Sequence, residues 1–264
     1  MIPAPVLPDR IDLDARVATL PRAWFITSCL AAGLAIVGSV IGLFASEQIY
    51  GQETADLHVA STAQDLVNLF VVSPLVLVLA FAALRGSVVA WRCLIGLLAF
   101  TAYNYAIYCF SIHFGPLFLT WVAVLGLAVF AFAGVLWSLS ASSRVSGSGR
   151  HRFPAWFLMA AAGFFAALWM SMIVPDLLAG RGSTAAATWA LPTSPVHVLD
   201  LAILLPAAFL AGLLLLRRRD IGAIAAPGAL VFLGATALPP MVIPSRSPPT
   251  SKSLAGSSSR RCRS

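Results

Sequence analysis

Long apolar runs alternate with short polar breaks along most of this chain. A helix needs about 20 mainly apolar residues to cross the hydrocarbon core of a bilayer. Runs of that length cover residues 24–44, 66–84, 88–110, 117–139, 155–174, 196–216 and 221–243. The last is interrupted by Pro227, Pro239 and Pro240, which lack the N–H that a helix interior uses. The pattern predicts an all-α, polytopic transmembrane helix bundle of about seven spans. An N-terminal segment over 1–23 precedes a transmembrane domain over 24–243. A basic, Pro/Ser-rich tail over 244–264 has no apolar period and is expected to be disordered. The first run is too long for the core of a signal peptide and reads as a retained helix.

The basic residues set the orientation. Arg10, Arg16 and Arg22 precede the first span, and Arg85 and Arg92 flank the turn after the second. Arg144, Arg150 and Arg152 follow the fourth, and Arg217, Arg218 and Arg219 follow the sixth. With seven crossings all of these fall on one side. The opposite loops hold Arg181 against Glu47, Glu53, Asp56 and Asp176. Basic loops stay in the cytoplasm, so the N-terminus is expected inside, with 47–64 and 176–195 outside.

Two halves of the chain share a spacing. Asn68, Pro74 and Arg85 are matched 132 positions later by Asp200, Pro206 and Arg217. At the same offset Asp65 corresponds to His197, Phe100 to Phe232, and Ala23-Trp24-Phe25 to Ala155-Trp156-Phe157. The second and sixth spans run in the same direction, so this predicts a parallel internal repeat of four plus three helices about an axis along the membrane normal. The counterpart of the fourth span would fall on the polar tail. That predicts a lost eighth helix, the alternative being a native disordered terminus.

Composition narrows the function classes. The chain is 59% hydrophobic and 10% charged, whereas soluble domains are about a quarter charged. Its formal charge of +7 lies in short arginine clusters between apolar runs, which fits cytoplasmic loops and gives no nucleic-acid surface. The bilayer is the expected partner; protein partners and cofactors have no signal. Lys252 is the single lysine among 17 basic residues, a usage typical of GC-rich bacterial genes, so the bacterial plasma membrane is the expected location. Cys29, Cys93, Cys109 and Cys262 form no C-x-x-C pair, and thiol redox chemistry is not expected. Phosphate-loop, nucleophile-elbow and dinucleotide motifs are absent from the sequence.

Ionisable and amide groups inside apolar runs mark where a ligand should be sought. Asp65 and Asn68 share a helix face, and His197 and Asp200 occupy the matching face of the sixth span. Asn104 and Tyr108 lie one turn apart on the third span, beside Tyr103 and Tyr105, with His113 in the loop that follows. If the halves pack together, Asp65, Asn68, Asn104, Tyr108, His113, His197 and Asp200 converge into a polar site open to the outside. The histidines and aspartates are suitable metal ligands, but their spacing follows no metal motif. The competing reading is that the carboxylates sit at positive helix ends and the tyrosines form an interfacial belt. Pro74 and Pro206 are expected to kink their helices, as static shape or as hinges. Gly38 and Gly42 on the first span, and Gly126 and Gly134 on the fourth, are spaced for close helix contact.

The stretch 65–85, the segment YNYAIYCFSIHFGPLFLTWVAVLGL and the segment VHVLDLAILLPAAFLAGLLLLRRRDIGAI resemble a group of uncharacterised bacterial multi-pass integral membrane proteins. The likeness spans residues 60–240, and the basic tail departs from it. That group has no assigned activity, so the resemblance implies a membrane location and nothing catalytic. The sequence alone favours binding or transport of a small molecule or ion. A membrane-embedded enzyme centred on His113, His197 and Asp200 is the alternative, and a structural or partner-binding protein the third class.

Overall fold

A computed structural model describes residues 19–140 and 152–242. Expectations for the first residues, the loop with Arg144 and Arg150, and the tail with its lost eighth helix lie outside the described residues. The described chain is all-helical, with seven helices long and apolar enough to cross a membrane. They are span 1 (Arg22–Phe44), span 2 (Ala55–Leu84), span 3 (Val88–Ser111), span 4 (Phe118–Leu139), span 5 (Arg152–Leu178), span 6 (Pro195–Leu216) and span 7 (Asp220–Val242).

Span 2 begins at Ala55, far ahead of the expected start at residue 66. Thr54 caps its first turn, its hydroxyl accepting from the Leu57 N–H at 3.3 Å. The next turns carry Ser61, Gln64 and Asp65, which read as a loop by hydropathy but are buried against protein instead of lipid. Span 5 likewise continues past Pro175 to Leu178. Span 7 is a helix over Asp220–Thr236, with Pro227 inside it, followed by the short turn Leu238–Val242. The break comes where Pro239 and Pro240 withdraw their N–H groups.

Span 3 is the hub, packing against spans 2, 4 and 7; span 1 lies against spans 2 and 4, and span 6 against spans 5 and 7. Its inward residues Trp91, Leu94, Leu98 and Phe100 are buried, and the Trp91 indole donates to the Val135 carbonyl on span 4 at 3.1 Å. Two of the four glycines singled out in spans 1 and 4, Gly42 and Gly134, sit where an added methyl would overlap a neighbour. A methyl on Gly134 would overlap the Trp24 ring, and one on Gly38 would touch Thr120 at 3.6 Å. Gly42 instead makes room for Asp65, and Gly126 faces open space.

Neither Pro74 nor Pro206 interrupts its helix. Each follows a single π-helical turn, Asn68–Val72 and Asp200–Leu204, in which the N–H of the residue before the proline reaches back five positions, Ser73 to Asn68 and Leu205 to Asp200. The widened turn relieves the clash between the proline ring and the preceding turn. These turns open 132 positions apart, and so do the helix ends that follow. Arg85 (φ −82°, ψ 6°) and Arg217 (φ −78°, ψ 6°) close the helices. The left-handed positions are then Gly86 (φ 93°) and Arg218 (φ 55°). In each case the next residue, Ser87 or Arg219, donates to a carbonyl five positions back, Ala82 or Leu214, forming a Schellman cap.

Candidate functional site

The chain's four tyrosines, Tyr50, Tyr103, Tyr105 and Tyr108, all sit within the bundle near the end opposite the Arg85 and Arg217 turns. Tyr50, Tyr105 and Tyr108 are buried, so they form no belt at a membrane surface. They surround Asp65, which is 2% exposed and more than two turns inside its helix. That depth removes the helix-cap reading for this carboxylate. Tyr50 donates to Oδ2 at 2.7 Å and Tyr108 to Oδ1 at 3.1 Å. A methyl on Gly42 would collide with the same carboxylate, so the glycine defines its niche. Burial, and next the adjacent Asp65 carboxylate, push the Tyr50 phenol above its ordinary range, which keeps it a donor.

Asp200 has a separate set of donors. Tyr103 on span 3 gives a hydrogen bond to Oδ1 at 2.9 Å, and the Trp169 indole on span 5 gives one to Oδ2 at 2.8 Å. His197 packs its ring on Trp169, with centroids 4.6 Å apart. The two polar faces therefore do not meet carboxylate to carboxylate; both attach to span 3, at Tyr108 and at Tyr103.

Between them lies a cavity of about 620 Å³, walled by spans 2, 3, 5, 6 and 7. Asn104, Tyr108 and Asp200 line it directly. Asp65 stands one hydrogen bond behind the wall through Tyr108, and Asn68 one behind through Gln64, whose amide donates to it at 3.0 Å. His197 sits behind Trp169. His113 is elsewhere: its backbone N–H donates to Glu53 at 2.8 Å, and its Nδ1 pairs with the same oxygen at 2.9 Å, which ties two loops together. Among the described residues no three His, Cys, Asp or Glu side chains are placed to hold a metal ion. The proposed grouping of His113 with His197 and Asp200 has no counterpart there.

Asn104 is 4% exposed and lines the cavity, but its Nδ2 is itself closed off and, like the Ser111 hydroxyl, has no hydrogen-bond partner among the described residues. Much of the remaining surface is apolar and aromatic. Compared with family models, curated proteins and solved structures, the chain gives no significant match. The site must therefore be read from its own chemistry.

Sequence reasoning missed Tyr50, Gln64, Trp169 and Trp189 as parts of this region. Gln64 carried a signal, since it adjoins Asp65 and shares a face with Asn68. Trp169 and Trp189 carried none that separates a cavity wall from a lipid-facing ring.

Proposed function

We propose that this chain is a bacterial plasma-membrane protein, N-terminus in the cytoplasm, that binds a small molecule in the cavity between its halves and carries it across the membrane. The halves are read as a parallel repeat of four plus three helices, supported by the matched π turns and Schellman caps. The arginine-rich ends of spans 2 and 6 support the orientation, which puts the cavity on the outer side.

The observation that carries the binding function is the cavity itself, whose wall sets the Asp200 carboxylate among aromatic rings. A carboxylate placed on an otherwise largely apolar wall gives a ligand one polar anchor and an apolar surface to pack against. The cavity volume falls in the range of small-molecule sites, and its apolar walls with a few polar groups match their usual make-up.

The test is a thermal-shift screen of the purified full chain in nanodiscs against neutral, cationic and anionic amphipathic molecules. At least one is expected to raise the melting temperature, and the shift should vanish when Ala161→Phe fills the cavity. No shift with any compound, or a shift that survives Ala161→Phe, would sink the binding reading. For transport, vesicles reconstituted with the chain should accumulate the same compound faster than empty vesicles.

A further inference from the structure

The cavity wall is electrically one-sided. Among its described residues Asp200 is a carboxylate, and none is Lys, Arg or His. Both Asp200 oxygens accept from neutral donors, the Tyr103 hydroxyl and the Trp169 indole, an acceptor-only pattern that suits an ionised group. Those bonds hold the carboxylate in place without cancelling its charge. Among the described residues Asp200 has no ion-pair partner within 4.0 Å. His197, one turn away, interacts electrostatically with Asp200 but makes no ion pair with it, packs at a tilt on Trp169, and does not line the wall.

A buried charge without an ion pair is costly in a low-dielectric setting, and an approaching anion would add repulsion. The surrounding surface also favours a cation. Phe100, Tyr103, Phe165, Trp169 and Trp189 contribute rings to the wall, and aromatic faces attract cations while packing an apolar body. A small inorganic ion would find few oxygens with which to replace its water among such residues. A large organic cation with diffuse charge loses little hydration there.

We infer that the ligand is a lipophilic organic monocation, an ammonium- or phosphonium-type head on an apolar body, with its charge held at Asp200 among these rings. This rests on the cavity being a binding site, as proposed above.

Three probes of similar shape separate charge from size: tetraphenylphosphonium, tetraphenylborate and neutral triphenylphosphine oxide. Saturable binding of each is measured by tryptophan quenching on the full chain in nanodiscs, with empty nanodiscs subtracted for partitioning. The phosphonium is expected to bind at least tenfold more tightly than the borate, with the oxide between them. Asp200→Asn should remove that preference so that the three bind alike, while Asp200→Glu should keep it and guards against a folding defect in the amide variant. If the three probes bind equally to the unaltered chain, or Asp200→Asn leaves the preference intact, the cation inference is overturned and the cavity stands as a binding site. If no probe binds saturably, the cation inference falls; the wider screen then decides whether the binding function falls with it.

Discussion

Gly96 on span 3 packs directly onto the backbone of Gly228 on span 7, so closely that a methyl on Gly96 would overlap the Gly228 carbonyl. One turn further along, Phe100 meets Phe232 edge to face, with ring centroids 5.8 Å apart at 80°. Each pair joins residues 132 positions apart, the same offset that relates the π turns and the helix caps. Spans 3 and 7 thus meet at two pairs of residues that share one offset. The cavity is lined from these two spans by Asn104 on span 3 and by Thr236 and Ala237 on span 7.

The two glycines should not tolerate substitution equally. A Cβ on Gly228 meets Arg92 O and Gly96 N at 3.2 Å, tight but short of overlap. Gly96→Ala forces backbone apart and is expected to cost about 2–3 kcal/mol, with Gly228→Ala costing less, about 1 kcal/mol. Unfolding midpoints in detergent give the ranking. Equal and negligible effects would mean that spans 3 and 7 do not approach this closely.

The Asp65 niche makes a coupled prediction. Gly42→Ala places a methyl on the carboxylate and is expected to destabilise by about 1–3 kcal/mol. In an Asp65→Ala background much of that penalty should disappear, because the closest colliding atoms are gone and the Tyr50 hydroxyl, 2.8 Å from the methyl position, is freed from its hydrogen bond to Asp65 and can turn away. A double-mutant cycle should give a coupling of at least about 1 kcal/mol. Strict additivity would contradict the contact.

Spans 1, 3, 4 and 6 were legible within a few residues, because their flanks are polar and their apolar runs meet lipid on at least one side. The start of span 2 was not, since hydropathy treats Ser61, Gln64 and Asp65 as solvent-loving when they face protein. Asn104, Tyr108 and Asp200 could be singled out because an amide, a phenol or a carboxylate in an apolar run needs a partner. Trp169 could not: it bonds Asp200, whereas Trp137 stands 77% exposed, and both occur in similar apolar sequence. His113 was grouped with the site because its real partner, Glu53, lies 60 positions away in another loop. The prolines announced a disturbance at Pro74 and Pro206, but their i→i+5 register depends on backbone geometry that residue type alone does not encode.

Orientation is checked with single cysteines in a background lacking the native four. A cysteine replacing Gly182, exposed in the loop between spans 5 and 6, should react with a membrane-impermeant maleimide added to intact cells. One at Ser146, between spans 4 and 5, should react only after the membrane is opened. The reverse pattern would place the N-terminus outside and the cavity on the cytoplasmic side.

Arg218 supplies a prediction that depends on backbone alone. It holds φ at 55°, in the left-handed region, at the position where the equivalent cap after span 2 has Gly86. A side chain in this conformation costs about 1–2 kcal/mol, which glycine avoids. The cap hydrogen bonds, Arg218 N–H to Leu215 at 3.0 Å and Arg219 N–H to Leu214 at 2.9 Å, use no side-chain atom and survive the change. Glycine also adds freedom to the unfolded chain, which returns part of the gain. Arg218→Gly is therefore expected to stabilise by about 0.5–1 kcal/mol, and Gly86→Ala to destabilise by a similar amount or more. Arg217 and Arg219 remain to keep this turn basic, so insertion should be unaffected. Paired unfolding curves decide it: if Arg218→Gly lowers stability while Gly86→Ala is harmless, the left-handed caps do not control these turns.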